Sequence, residues 1–234
     1  MLSRRLFCGC LASFAFASAT AHAQSGDACA VVTRDRQRAL TPDMALAALR
    51  DGNERVLRGT PRNCDRVAQA KASASGQAPI AAVLGCIDSR VVPELAFDQG
   101  IGDVFTARVA GNFSNVDIIG SLEFATKVSG AKAIVVLGHS ECGAIKGAVD
   151  QVKLGNITAM LKNFEPAVQA VRKTDGAFDS KNSALVQKVA ETNVRLTARG
   201  LTRRSKILKE QVEKGEIKIA GAMHDLASGK VTWL

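Results

Sequence analysis

The sequence predicts an α/β fold: a mainly parallel central β-sheet flanked by helices, with an amino-terminal helical arm. Three observations predict it. Residues 80–84, 104–109, 133–137 and 217–221 are short, largely apolar runs, the pattern of strands covered on both faces. The stretches between them have helical spacing, so strands and helices alternate. At 234 residues the chain has the length of one compact α/β domain.

The first 23 residues stand apart from that fold. Arg4 and Arg5 precede an uncharged Ala/Phe/Leu-rich run ending in Ala21-His22-Ala23, the pattern of a cleavable signal peptide. The run falls short of the roughly 20 residues needed to cross a bilayer, so a removable leader is expected and not a stable membrane anchor. A mitochondrial transit peptide would be amphipathic and arginine-rich over a longer span. Paired arginines ahead of Leu6 and Phe7 resemble a twin-arginine signal, which puts the mature protein in the periplasm or outside the cell.

Residues 24–75 read as the arm. Thr41 caps a helix over 42–58 with Pro42 in its first turn, and Met44, Ala47, Ala48 and Val56 are its candidate buried positions. Gly59-Thr60-Pro61 stops it, and a second helix over 65–73 ends at Ser75-Gly76. The arm is too small to bury a core alone. Residues 76–234 carry the α/β domain, with helices over 116–128, 143–153, 157–171, 184–199 and 201–214 between and after the strands.

A formal net charge of +9 invites a nucleic-acid partner. The charge is spread along predicted helices, however, with one Trp, no Tyr and no arginine run beyond Arg203-Arg204. A solvated basic face, with no nucleic acid, is the expectation.

Removal of the leader takes away Cys8, Cys10 and His22, leaving Cys29, Cys64, Cys86 and Cys142 with His139 and His224. No three-histidine site can then form within one chain, so a zinc site must use thiolates. Cys86, Asp88 and Arg90 follow the first strand at a spacing of two, which in extended chain points them to one side. His139 and Cys142 follow the strand over 133–137 and can meet if the chain turns into a helix there. Both sets emerge at the carboxyl edge of the sheet, where ligands bind in parallel folds. Two thiolates and one imidazole leave a fourth tetrahedral position open, which implies catalysis and not a structural site. Zinc held this way brings the pKa of its water toward about 7 and yields a hydroxide nucleophile.

Taken singly, these residues could be inert buried thiols and a core histidine; together, at matched strand ends, they favour a metal. A zinc ribbon would need a Cys-x₂-Cys pair. Cys86 and Arg90 are too close to hold a phosphate-cradling loop between them. Cys142 stands where a serine-hydrolase elbow needs Gly.

The run Cys-x-Asp-x-Arg at 86–90, followed by His-x-x-Cys-Gly at 139–143, resembles the β-class carbonic anhydrases. The resemblance extends through Gly102-Asp103-Val104-Phe105, Arg108-Val109-Ala110-Gly111-Asn112 and the closing stretch 221–231. It implies one Zn²⁺ per chain on Cys86, His139 and Cys142, and interconversion of carbon dioxide and bicarbonate by attack of zinc-bound hydroxide. Asp88 would orient the hydroxide as an acceptor, and Arg90 would hold Asp88 ionised. The Gly143 N–H would position substrate, and Gln77 would hydrogen-bond bicarbonate. Phe105, Ala110 and Phe124 would line a narrow apolar pocket, with plain core packing the alternative for the two Phe residues. A homodimer or higher even oligomer is implied, the arm crossing to the other subunit. The same ligands would serve another small electrophile such as carbon disulfide or carbonyl sulfide. A relative without turnover would not need Asp88 and Arg90 intact.

Two departures stand out: Val109 where many members have Asn, and His224 where many have Tyr. His224 reads as a satisfied surface or interface histidine, with a proton shuttle the alternative. Members that close the site swing the Asp onto zinc and carry a Trp–Arg–Tyr bicarbonate site. Only Arg108 of that set is present, Val83 and His224 taking the other places, so a site open at rest is expected. Cys29 and Cys64 have no place in the zinc motif. In an oxidising compartment a spare pair commonly joins; the alternative is two unrelated thiols.

Overall fold

The computed structural model describes residues 28–172 and 178–234, so the expected leader and the first residues of the arm lie outside the described residues. A five-stranded sheet runs in the order β2-β1-β3-β4-β5. Its strands are β1 (Ala81–Gly85), β2 (Val104–Arg108), β3 (Ala133–His139), β4 (Lys218–His224) and β5 (Val231–Trp233). β1 is parallel to β2 and β3, and β3 to β4, whereas β5 returns antiparallel on β4. The mainly parallel sheet thus forms as predicted. β5 escapes the sequence because three residues at an edge have no period to read.

Alternation along β1 and β3 divides the core into two layers. Ala82, Leu84, Ile134 and Val136 face one side, and Ala81, Val83, Ala133, Val135 and Leu137 the other. The first side is covered by α5 (Val116–Glu123), α6 (Gly143–Val149), α8 (Glu165–Arg172), α9 (Ser183–Arg204) and α10 (Lys206–Glu213). Strands buried on both faces explain the unbroken apolar runs.

The second side is covered by α2 (Pro42–Leu57), which follows the short α1 (Arg34–Ala39) and precedes α3 (Arg66–Ser73). Thr41 caps α2 by accepting from the Met44 N–H. The buried face is Ala45, Leu46, Leu49, Gly52 and Asn53, not the expected set: Met44 is 50% exposed, Ala47 is exposed, and Ala48 and Val56 are half-buried. The expected set followed apolarity alone, whereas the face that meets the sheet runs through Ala45, Leu46 and Leu49 and continues to Gly52 and Asn53. A Cβ on Gly52 would lie 1.7 Å from the Phe97 carbonyl oxygen, so only glycine permits this approach. Asn53 is buried because it is fully used. Its Nδ2 donates to the carbonyls of Ala96, in α4 (Pro93–Ala96), and of Gly229, and its Oδ1 accepts from the Val231 N–H, all at 2.9 Å. The helix expected to cross to another subunit therefore packs on the sheet of its own chain.

The other expectations differ in detail. The helix over 116–128 is α5 followed by a π turn, Phe124–Val128. The one over 143–153 ends at Val149. The one over 157–171 resolves into α7 (Gly155–Leu161), a 3₁₀ turn and α8. No break occurs near Gly200: α9 runs through it and stops at Ser205, which caps α10 by accepting from the Leu208 N–H. Cys29 and Cys64 are joined in a disulfide with Cα atoms 5.4 Å apart, tying the start of the described chain to the segment between α2 and α3.

Candidate metal centre

Cys86 is the first residue beyond β1 and His139 the last of β3, and these strands are neighbours running the same way. Both side chains therefore arrive at one end of the sheet. Cys142 joins them across a turn in which Glu141 has φ 57°, a left-handed conformation costly for a residue with a Cβ. Helix α6 begins only after Cys142, its cap residue, so the turn and not a helix brings His139 and Cys142 together. A contact from Lys146 Nζ to Glu141 Oε2 closes the turn. The ligand atoms of Cys86, His139 and Cys142 lie within 4.8 Å of one another, and all three residues are buried.

These residues fit zinc. Bonds of about 2.3 Å to sulfur and about 2.0 Å to nitrogen place two ligands of a tetrahedral ion about 3.3–3.8 Å apart, within that spread. His139 Nδ1 lies 2.8 Å from the Ser140 carbonyl oxygen, which can only accept, so Nδ1 carries the proton and Nε2 is left with its lone pair. That Nε2 is buried with no hydrogen-bond partner, an arrangement costly for a histidine unless a cation takes the lone pair.

The sulfurs are prepared for the same role. Cys86 Sγ accepts from the backbone N–H of Gly111 at 3.2 Å and of Asp88 at 3.4 Å. Its thiol is pushed down first by the Cys142 thiol and then, against burial, by His139 and these two amides. Cys142 is pushed up, chiefly by the Cys86 sulfur beside it and by burial. Two adjacent sulfurs share one proton until a cation removes the repulsion. Gly111 can approach Cys86 because its φ is +73°, and a Cβ there would lie 2.4 Å from Phe164 Cζ.

Asp88 stands beside the cluster. Arg90 donates from Nε to Oδ1 at 2.9 Å and from Nη2 to Oδ2 at 2.7 Å, and its backbone N–H adds a third bond to Oδ1 at 3.0 Å. Arg90 is the main reason that the Asp88 carboxyl is held well below the usual carboxylate range. Asp88 Oδ2 lies 4.0 Å from His139 Nε2, beyond the about 3.3 Å that separates nitrogen and oxygen ligands of one tetrahedral zinc. Arg108 donates to the carbonyls of Cys86 at 2.8 Å and Asp88 at 2.7 Å, clamping the loop that presents both residues.

A family model described as carbonic anhydrase matches residues 81–231. The chain belongs to the carbonic anhydrase family. It is 34% identical over 195 residues to carbonic anhydrase 2 of Mycobacterium tuberculosis, a match covering 81% of this chain and 91% of the relative. Its fold is that of the β class. A Coccomyxa β-carbonic anhydrase solved with acetazolamide superposes with a TM-score of 0.65 at 24% identity, covering 81% and 84% of the two chains. A tetrameric β-carbonic anhydrase of Sordaria macrospora superposes with 0.63 at 22% identity, covering 82% and 97%.

Within one chain of this carbonic anhydrase the residues expected to contact substrate do not all converge. Ala110 is beside the Gly111 amide that meets Cys86, and Gly143 directly follows Cys142 with open space at its α-carbon. Gln77, in contrast, is exposed ahead of β1, at the opposite end of that strand from Cys86. Phe105 pairs in register with Ala82, four residues upstream of Cys86 and so about 13 Å away along the strand. Phe105 and Phe124 pack edge to face with centroids 6.4 Å apart, in an apolar cavity of about 550 Å³ with Val116 and Leu122. Neither belongs to the metal cluster of its own chain.

His224 is not a surface residue. It is 7% exposed and pairs in register with His139 across β3 and β4; its Nδ1 has no partner. Burial first, and His139 second, pushes its pKa down. The Gly111 amide, the Arg108 clamp and the Ser140 carbonyl were not foreseen. Two of them act through the backbone, which leaves no residue-type signal, although Arg108 and Gly111 lie within a stretch whose resemblance to the β class was legible.

Proposed function

We propose that this chain catalyses the reversible hydration of carbon dioxide to bicarbonate and a proton, on one zinc ion held by Cys86, His139 and Cys142. The observation that carries this reading is the buried Cys₂His cluster with an unpartnered His139 Nε2, in a chain of the carbonic anhydrase family. Three protein ligands leave one position for the reacting water. Zinc, when bound, supplies the positive charge that brings that water's pKa near neutrality.

The chain's own residues do the rest. Asp88, ionised by Arg90, offers an acceptor oxygen beside the open position and orients the nucleophile. With both carboxylate oxygens engaged by Arg90, Asp88 is held off the metal, which supports a site open at rest. The Gly143 N–H, next to Cys142, positions the substrate oxygen. Gln77, Phe105 and Phe124 can serve the substrate only if a second copy brings them to the cluster, so the working unit is a homodimer or a higher even assembly. Exposed Val116 and Phe124 line one cavity with Phe105, Thr106 and Ala107 of the edge strand β2, a surface suited to such a partner.

Export to the periplasm or the exterior is part of this proposal. The disulfide belongs to an oxidising compartment, and the leader pattern precedes it. Among the described residues no helix is long and apolar enough to cross a membrane.

Metal analysis and stopped-flow carbon dioxide hydration test the reading together. The mature protein should carry one zinc per chain and turn over, and Cys142→Ser should lose both. Full zinc and full turnover in Cys142→Ser would refute the ligand set.

A further inference from the structure

Two hydrogen bonds in series reach the Cys86 sulfur from the other side of the core. Asn193, in the middle of α9, is 3% exposed, and its Nδ2 donates to the Gly111 carbonyl oxygen at 2.9 Å. The N–H of the same glycine donates to Cys86 Sγ at 3.2 Å. The two groups belong to successive peptide units hinged at the Gly111 α-carbon. Fixing one restrains the other.

Asn193 is an improbable residue for its place unless it serves this contact. Its neighbours along α9, Val189, Ala190 and Val194, are buried and apolar. Asn has poor helix propensity, and a buried amide is costly without a partner. Gly111 needs such a tether, because glycine at φ +73° has no side chain to limit its rotation. With its carbonyl held, its N–H stays aimed at the sulfur.

We propose that Asn193 is a positioning residue of the metal centre: by holding the Gly111 carbonyl, it aims the Gly111 N–H at the Cys86 sulfur and sets how strongly that sulfur donates to the metal. The inference rests on reading the cluster as a metal centre. A thiolate that accepts an N–H bond gives less electron density to its metal, which keeps the metal a stronger Lewis acid. The same contact fixes where the sulfur sits, and losing an outer contact that orients a ligand typically weakens metal binding about 10–100-fold even where the freed sulfur donates more strongly. A merely structural buried Asn would affect stability alone.

The test compares wild type with Asn193→Leu, which removes the donor, and Asn193→Asp, which places an acceptor against the Gly111 carbonyl. Val189→Ala, on the same helix, is the packing control. Zinc affinity is read by competition with a chelator, and the sulfur by the thiolate-to-metal charge-transfer band of the cobalt-substituted protein. Both Asn193 variants should bind zinc about 10–100-fold more weakly and move the cobalt band to lower energy. Val189→Ala should lower the thermal midpoint and leave both readouts unchanged. A folded Asn193 variant with wild-type zinc affinity and cobalt spectrum would overturn the role. Should neither variant fold, the wild-type protein loaded with cadmium-113 decides by NMR. Scalar couplings from the Gly111 amide proton to the metal, and from the Asn193 side-chain nitrogen to the Gly111 carbonyl carbon, are expected, and absence of either overturns the proposal. Wild-type protein that takes up no metal at all would instead refute the metal centre itself.

Discussion

At the residue scale, the arrangement of Asp88 separates binding from chemistry. Its two oxygens are occupied by Arg90 at 2.7–2.9 Å, so it stays charged and leaves the metal to two sulfurs and a nitrogen. Asp88→Asn keeps the shape but replaces one acceptor oxygen by an NH₂ group that can only donate. The expected result is unchanged zinc content with kcat/KM lowered about 10–100-fold, the usual cost of losing an outer contact at a metal site. Metal analysis and stopped-flow hydration on the same sample check it. Asp88, Arg90 and the Cys86–His139–Cys142 cluster were all readable as candidates in the sequence, because each is a side chain whose chemistry its type declares. The 4.0 Å between Asp88 Oδ2 and His139 Nε2 was not, since it depends on how two strand ends meet.

At the element scale, the turn between β4 and β5 is set by Asp225. Its Oδ1 accepts from the N–H of Ser228 at 2.8 Å and from its hydroxyl at 2.6 Å, and the Ser228 hydroxyl is the first cause of a lowered carboxyl pKa. A carboxyl whose folded pKa lies below its unfolded value, about 3.9, stabilises the fold above that value. The contribution is lost as pH falls through the folded pKa. Asp225→Asn should therefore lower the thermal midpoint at pH 6, and the gap to wild type should narrow as pH falls toward 3. A gap constant with pH would show that the charge on Asp225 contributes nothing. The same elements show where periodicity misleads. Gly200 invites a helix break, yet α9 passes through it because the surrounding positions Thr197 and Leu201 are buried against the core, and tertiary packing outweighs the propensity of one residue.

At the scale of the whole molecule, the disulfide and the exposed apolar edge concern how the chain is held and what it meets. Cys29–Cys64 closes a sequence separation of 35 residues, which by the chain-entropy argument contributes about 3–4 kcal/mol. Cys29→Ser/Cys64→Ser should lower stability by about that amount in urea while keeping zinc and activity, since the bridge lies at the arm and not at the metal. An equal stability in the two proteins would show that the arm is held by its other contacts. Phe124, 53% exposed beside the β2 edge, bears on assembly. Phe124→Glu should shift the light-scattering mass toward a single chain and lower hydration activity with zinc still bound. A variant that stays an even oligomer with full activity would remove this edge from the interface.

The sequence by itself determined four of the five strands, their parallel sense, and which residues gather at the candidate metal centre, because apolar runs at alternating intervals and ligand types at matched strand ends are local patterns. Only the tertiary structure decided that α2 lies on its own sheet through Ala45, Leu46 and Leu49, that His224 is buried beside His139, and that Phe105 and Phe124 stand apart from Cys86. It also decided which amide meets the Cys86 sulfur. Each of these is a meeting between segments far apart in the chain, set by packing and backbone direction, and neither leaves a trace in residue type or spacing.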